Sequence, residues 1–269
     1  MKNTDVGGQY ATGLSRHGIE QALIAAGKDI SRLAPADLGA LEDFHTMGRL
    51  ATAQLAKLAG ITGSDRVLDA GTGIGGTARF LAAQHGCQVT AVDLTREYCE
   101  TAAWLNRLTG LDGKITVTHG DVTSLPFPGA AFDVVISQHV QMNVPDKAAL
   151  YAEARRVLRP GGRLALWDAT AGTPGEITYP LPWADQPDRS HLVPATELRA
   201  AVAAAGFAIG RWTDLTDQAV TVMQALLSRP PEPLGLHAFV PGFAAKAANY
   251  TRALADGRLR VIQAVAIAD

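Results

Sequence analysis

The sequence predicts an α/β fold, a doubly wound sheet of mostly parallel strands, and three observations predict it. Short β-rich runs, RVLDA, QVTAVD, ITVTHGD, FDVVISQ and RLALWDA, recur through the middle of the chain and alternate with segments of helix length. Connections of that length carry the chain back along the sheet, so successive strands run parallel. Finally, the first run leads straight into Asp69-Ala70-Gly71-Thr72-Gly73-Ile74-Gly75-Gly76, a glycine-rich turn of the kind that joins a strand to a helix.

Each element follows in order. Residues 14–60 read as helical: GIEQALIAAG, a turn at Pro35-Ala36-Asp37, then FHTMGRLATAQLAKLAG with apolar residues three and four apart, ended by Gly60. Residues 1–60 are read as an N-terminal helical cap or lid, and residues 61–269 as the main domain. Helices are expected over 75–85, 96–109 and 145–157. Five prolines, Pro174, Pro180, Pro182, Pro187 and Pro194, make residues 172–194 an inserted loop near the carboxyl end of the sheet. A helix at 196–205, a strand at 207–213, a helix at 217–228, a Pro-rich joint at 230–233 and a terminal strand RLRVIQAVAIA complete the chain.

Composition narrows the function. At 269 residues, 47% hydrophobic and 19% charged, the chain buries a full core. Its 24 basic and 26 acidic residues are mixed along the sequence, so no basic stripe offers itself to a phosphate backbone, and no nucleic-acid partner is expected. Cys87 and Cys99 stand outside any CxxC pair or His cluster, so neither disulfides nor a bound metal is expected. The N-terminus lacks the apolar core of a signal peptide, and no stretch approaches the roughly 18 apolar residues of a membrane span. A cytoplasmic monomer or homodimer acting on a small molecule, with no membrane partner, is the expectation.

Gly71, Gly73 and Gly76 satisfy GxGxxG, a pattern that lets the backbone approach a ligand closely and that also occurs in bare turns. Asp93 ends the second run 22 positions after Gly71, where a carboxylate can hold both hydroxyls of a ribose; it could equally cap the helix that begins near Thr95. Asp69 stands two residues before the first glycine, where a pyrophosphate would approach a nicotinamide site. An acid there suits a cofactor without phosphate whose methionine end carries an ammonium group. Asp121, after the third run, can accept from the exocyclic amine of adenine while Val122 donates its backbone N–H to the ring. Together these residues point to S-adenosylmethionine (SAM).

VLDAGTGIGGTARFLA, VTAVDLT, GDVTSLPFPGAAFDVVISQ and ARRVLRPGGRLAL resemble the successive motifs of the class I SAM-dependent methyltransferases over about residues 64–170. AGKDISRLAPADLGALEDFHTMG, QMNVPDKAALYAEARRVLRPGG, YPLPWA and LVPATELRAAVAAAGF are similar to the small-molecule group that includes sarcosine and dimethylglycine N-methyltransferases. The resemblance implies a Rossmann-like sheet of seven strands, the last antiparallel. It also implies that Asp69, Gly71, Gly73 and Gln138 hold the methionine end of SAM, Asp93 and Leu94 the ribose, and Asp121 and Val122 the adenine. Thr72 replaces a common cysteine, a swap of small side chains that leaves the loop intact.

Methyl transfer to an amine needs only a neutral nucleophile, whereas a hydroxyl or carbon acceptor needs a general base. Related O-methyltransferases carry histidines where this chain has Met142 and Asn143. His139 is the candidate substitute, with Asp168 orienting it or acting itself; a solvated or capping histidine is the alternative. Tyr10, His45, Arg49 and Asn143 are candidates to border the acceptor, and Trp167 and Trp183 to offer it aromatic faces or to pack in the core. Nitrogen is thus favoured over oxygen or carbon. Two alternatives stay open: an NAD-dependent oxidoreductase using the same loop, and a non-catalytic SAM-binding module.

Overall fold

The computed structural model describes residues 10–230 and 233–269. Residues 1–9, within the stretch read for a signal peptide, and Pro231 and Glu232 of the Pro-rich joint lie outside the described residues. Seven strands form one sheet: β1 Arg66–Ala70, β2 Gln88–Asp93, β3 Ile115–His119, β4 Phe132–Gln138, β5 Leu158–Ala171, β6 Phe207–Asp214 and β7 Leu259–Ala268. Their order is β3-β2-β1-β4-β5-β7-β6. The first five run parallel, and β7 inserts antiparallel between β5 and β6, as the family resemblance implied.

The helices are α1 Ser15–Ala25, α2 Gly39–Glu42, α3 Arg49–Leu58, α4 Gly76–His85, α5 Arg96–Leu108, α6 Lys147–Val157, α7 Ala195–Ala204, α8 Thr216–Leu227 and α9 Phe243–Ala255. Strand residues alternate between two cores, as the pleat requires. Val67, Val134, Ile136, Ala165 and Trp167 face Leu55, Leu81, Tyr250 and Leu254. Leu68, Val135, Leu164 and Leu166 face Leu150, Tyr151, Leu198 and Val202 on the other side. A third cluster seats the cap, packing Ile19, Leu23, Leu38 and Leu41 against Ile74, Trp104 and Leu105. Phe239 and Val240 belong to it too, so the cover over the sheet comes from two distant parts of the chain.

Two local readings change. The helix expected from Phe44 begins only at Arg49, because Met47 (φ +66°) and Gly48 (φ +52°) take left-handed conformations that no helix accommodates. The three- and four-residue spacing was carried by residues 49–58 alone, and Phe44, His45 and Thr46 are released to lie over the strand ends. Helix α9 was not anticipated. Its Ala247, Tyr250, Ala253 and Leu254 are buried at helical spacing, a signal that its many alanines and polar residues diluted.

Candidate functional site

Carboxyl ends of β1, β2 and β4 open onto one cavity of about 980 Å³ of atom-free space, counting its mouth. The glycine loop is pinned to the end of β2, with Gly71 and Thr72 donating their N–H groups to Val92 O at 2.8 and 2.9 Å. Gly71 has φ +85°, and a Cβ there would lie 2.3 Å from Val140 Cγ2, so this position requires glycine. Asp93 Oδ2 accepts from Gly73 N–H and Oδ1 from Thr95 N–H, both at 2.8 Å. Its carboxyl thus ties the loop to the start of α5 while lining the cavity.

Asp69, Gly71, Thr72, Gly73, Asp93, Leu94, Asp121, Val122 and Gln138 all line this cavity. Asp69 is buried, accepts from Thr72 Oγ1 at 2.5 Å, and burial pushes its carboxyl up to about 7. Asp121 Oδ1 accepts from Thr123 N–H at 2.8 Å and Oγ1 at 2.7 Å, setting the turn that presents Val122. Gln138 Oε1 accepts from Thr77 Oγ1 at 2.9 Å and Thr52 Oγ1 at 3.3 Å. Its buried Nε2 has no partner among the described residues, a donor left for a carboxylate. An acid for an ammonium, an amide donor for a carboxylate and acids for ribose and adenine fit SAM.

Tyr10, Phe44, His45, His139, Asn143 and Phe239 also line this cavity. Tyr10 OH donates to Asn143 Oδ1 at 3.0 Å, so the cap meets the segment after β4 directly. His45 lies 3.1 Å by Nε2 from Thr52 Oγ1, and burial lowers it to about 4. His139 has φ +56°, and its Nε2 meets Thr46 N–H at 3.3 Å and Thr46 Oγ1 at 2.7 Å. Burial, with His45 adding to it, lowers this ring to about 3, so both imidazoles are neutral near pH 7.

Three expected site residues face elsewhere. Trp167 is fully buried in the core on the α3 and α9 side of the sheet, the packing alternative of its two readings, because it falls on the inward phase of β5. Asp168 does not line the cavity. Its Oδ1 accepts from Val140 N–H at 2.9 Å and Gln141 N–H at 3.4 Å, so it holds the backbone beside His139 and makes no bond to the ring. Arg49 pairs with Glu42 and Asp43 at 2.6 and 3.0 Å. Trp183 stacks edge-on to His139 with centroids 6.3 Å apart. Sequence reasoning missed Thr46, Thr52, Thr77 and Tyr250, whose roles depend on contacts across the fold.

The sheet order and this cavity define the class I SAM-dependent methyltransferase fold. A family model described as "Methyltransferase domain" matches residues 68–166, the stretch in which the methyltransferase-like motifs fall. It is 35% identical over 130 residues to the glycine/sarcosine/dimethylglycine N-methyltransferase of Actinopolyspora halophila, a match covering 48% of this chain and 23% of that one. The aligned stretches span under half the length of several curated relatives, whose names specify nitrogen or carbon acceptors among others. A geranyl diphosphate methyltransferase solved with SAM superposes with TM-score 0.66 at 21% identity, covering 82% of this chain and 86% of that one. The [4+2]-cyclase SpnF superposes with TM-score 0.71 at 23% identity over 99% and 97% of the two chains. Among the described residues, no helix is long and apolar enough to cross a membrane.

Proposed function

We propose that this protein transfers a methyl group from SAM to a small-molecule acceptor, with nitrogen the atom the site suits best. The observation that carries the reading is that Asp69, Asp93, Asp121 and the unpartnered Gln138 Nε2 line one cavity beside the glycine loop. In this reading Asp69 takes the ammonium, Gln138 the carboxylate, Asp93 and Leu94 the ribose, and Asp121 with Val122 the adenine. When bound, SAM supplies an electrophilic methyl carbon. The chain's own task is to position the acceptor and exclude water, a task served by Tyr10 and His45 of the cap and by Phe239, which line the cavity.

Nitrogen is favoured because burial lowers both histidines of the cavity well below their ordinary range, which makes each a weak proton acceptor, and a neutral amine requires no base. Names of relatives support a small acceptor without choosing one: glycine derivatives in one case, geranyl diphosphate in another. The end-to-end superposition on the [4+2]-cyclase SpnF, a protein of this fold named for other chemistry, supports a second reading, a SAM-binding module that does not methylate. Calorimetric titration with SAM, S-adenosylhomocysteine and NAD, followed by methyl-labelled SAM with amines, phenols and enolisable acids, separates these. SAM binding with labelled amine product is expected. Absence of SAM affinity sinks the proposal, and tight binding with no label in any acceptor favours the second reading.

A further inference from the structure

We propose that Thr46 and Tyr250 lock His139 in its Nδ1–H tautomer, so that the ring donates a hydrogen bond to an oxygen of the acceptor and removes no proton from it. The inference rests on the reading of the cavity as a methyl-transfer site. Its geometry is directional. A backbone N–H only donates, and Thr46 N–H meets His139 Nε2 at 3.3 Å, so Nε2 must accept and the ring proton resides on Nδ1. Thr46 Oγ1, 2.7 Å from the same nitrogen, then gives it its own proton and accepts in turn from Tyr250 OH at 2.6 Å. Tyr250 is buried on α9, so the chain of donors starts from a fixed point.

With Nε2 engaged by Thr46, Nδ1 is the nitrogen left for the cavity that His139 lines. Ring orientation is fixed on every side. His139 N–H is bonded to Trp167 O at 2.9 Å, Asp168 holds the next two N–H groups, and Trp183 and Tyr250 meet the ring edge-on at 6.3 and 5.9 Å. Titratable neighbours are His45 from the cap, with ring centroids 6.4 Å away, Tyr250 from α9, and Asp168 behind the turn. Burial of the ring and proximity of His45 both oppose its protonation.

A donor at this position selects acceptors whose nucleophile is already free, a neutral amine or an ionised oxygen or enolate, next to an oxygen that accepts from Nδ1–H. The new bond to the methyl carbon forms from the acceptor's own lone pair, the pair of the broken C–S bond stays on sulfur, and an amine's surplus proton leaves to water.

Protein labelled with 15N-histidine, with H139Q to assign the resonance by its loss, tests the lock without any acceptor. Long-range 1H–15N correlation from pH 5 to 9 should show a protonated Nδ1, an unprotonated Nε2 and no titration, and T46V, which removes the hydroxyl donor but keeps the backbone N–H, should shift the Nε2 resonance while the proton stays on Nδ1. A proton on Nε2, a midpoint near 6 to 7, or an unchanged T46V spectrum overturns it. With a labelled acceptor in hand, H139N, which keeps a donor near the Nδ1 position and tolerates positive φ, should retain kcat/KM within about tenfold, whereas H139A should lose at least ~100-fold. Equal losses in both variants would mark a base and refute the inference. Failure to label any acceptor would count against the methyltransferase reading alone, since the spectrum reports on the tautomer regardless.

Discussion

Arg79 Nη2 lies 2.6 Å from Glu42 Oε2, and neither side chain reaches solvent. Arg79 also donates to Asn106 Oδ1 at 2.9 Å and Ile74 O at 2.6 Å, while Arg49 holds the other oxygen of Glu42 at 2.6 Å. This network fastens α2 of the cap to the helix that follows the glycine loop. Removing Arg79 leaves buried Glu42 Oε2 and Asn106 Oδ1 without the donor they share, with Arg49 alone facing Glu42. R79M is therefore expected to destabilise the protein by about 3–5 kcal/mol, read from urea unfolding. A loss under about 1 kcal/mol, typical of an exposed pair, would show that the pair does not fasten the cap.

The turn at Gly71 carries a second expectation. A methyl group there would meet Val140 Cγ2 at 2.3 Å and force a side chain into left-handed backbone, so G71A should displace Val140 and the neighbouring His139. SAM affinity is expected to fall at least about tenfold, equivalent to ~1.4 kcal/mol. Calorimetry that finds G71A binding as tightly as the parent protein would refute the placement of the cofactor against this turn.

Asp69 makes SAM binding depend on pH. Burial raises its carboxyl to about 7, and an ammonium bound beside it would favour the ionised form. Binding should then strengthen from pH 5 to 8 and release protons around pH 6. Titrations in two buffers of different ionisation enthalpy measure that release directly. Proton uptake, or an affinity that is flat with pH, would place the ammonium elsewhere.

Asp168 predicts a pH effect on stability. Burial raises its carboxyl to about 8, above the ordinary value of about 3.9. The native state therefore binds this proton more strongly than the unfolded state. Its contribution is full below about pH 4 and is lost as pH rises towards 8. D168N, which resembles the protonated acid, should lose less Tm than the parent between pH 5 and pH 8. Lys147, lowered to about 8 by burial, titrates at the top of this range in both proteins, so its effect largely cancels from the difference between them. Parallel Tm profiles for the two proteins would contradict the burial argument.

Much of this protein is determined by the sequence alone. Strand and helix alternation, the glycine turn and the acids at three strand ends follow from local periodicity, from backbone conformations that only certain residues adopt, and from motif spacing, while the antiparallel direction of the terminal strand was implied by the family resemblance. Tertiary structure decided what those signals do not encode. Trp167 and Asp168 sit next to each other on β5 and were both expected at the site, yet the pleat sends one into the core and the other behind a turn. Thr46 sits in a stretch that reads as helix, and it meets His139 and Tyr250 from 93 and 204 positions away. Such contacts depend on where the cap and α9 settle over the sheet, a balance of packing across the whole chain that no local window of residues contains.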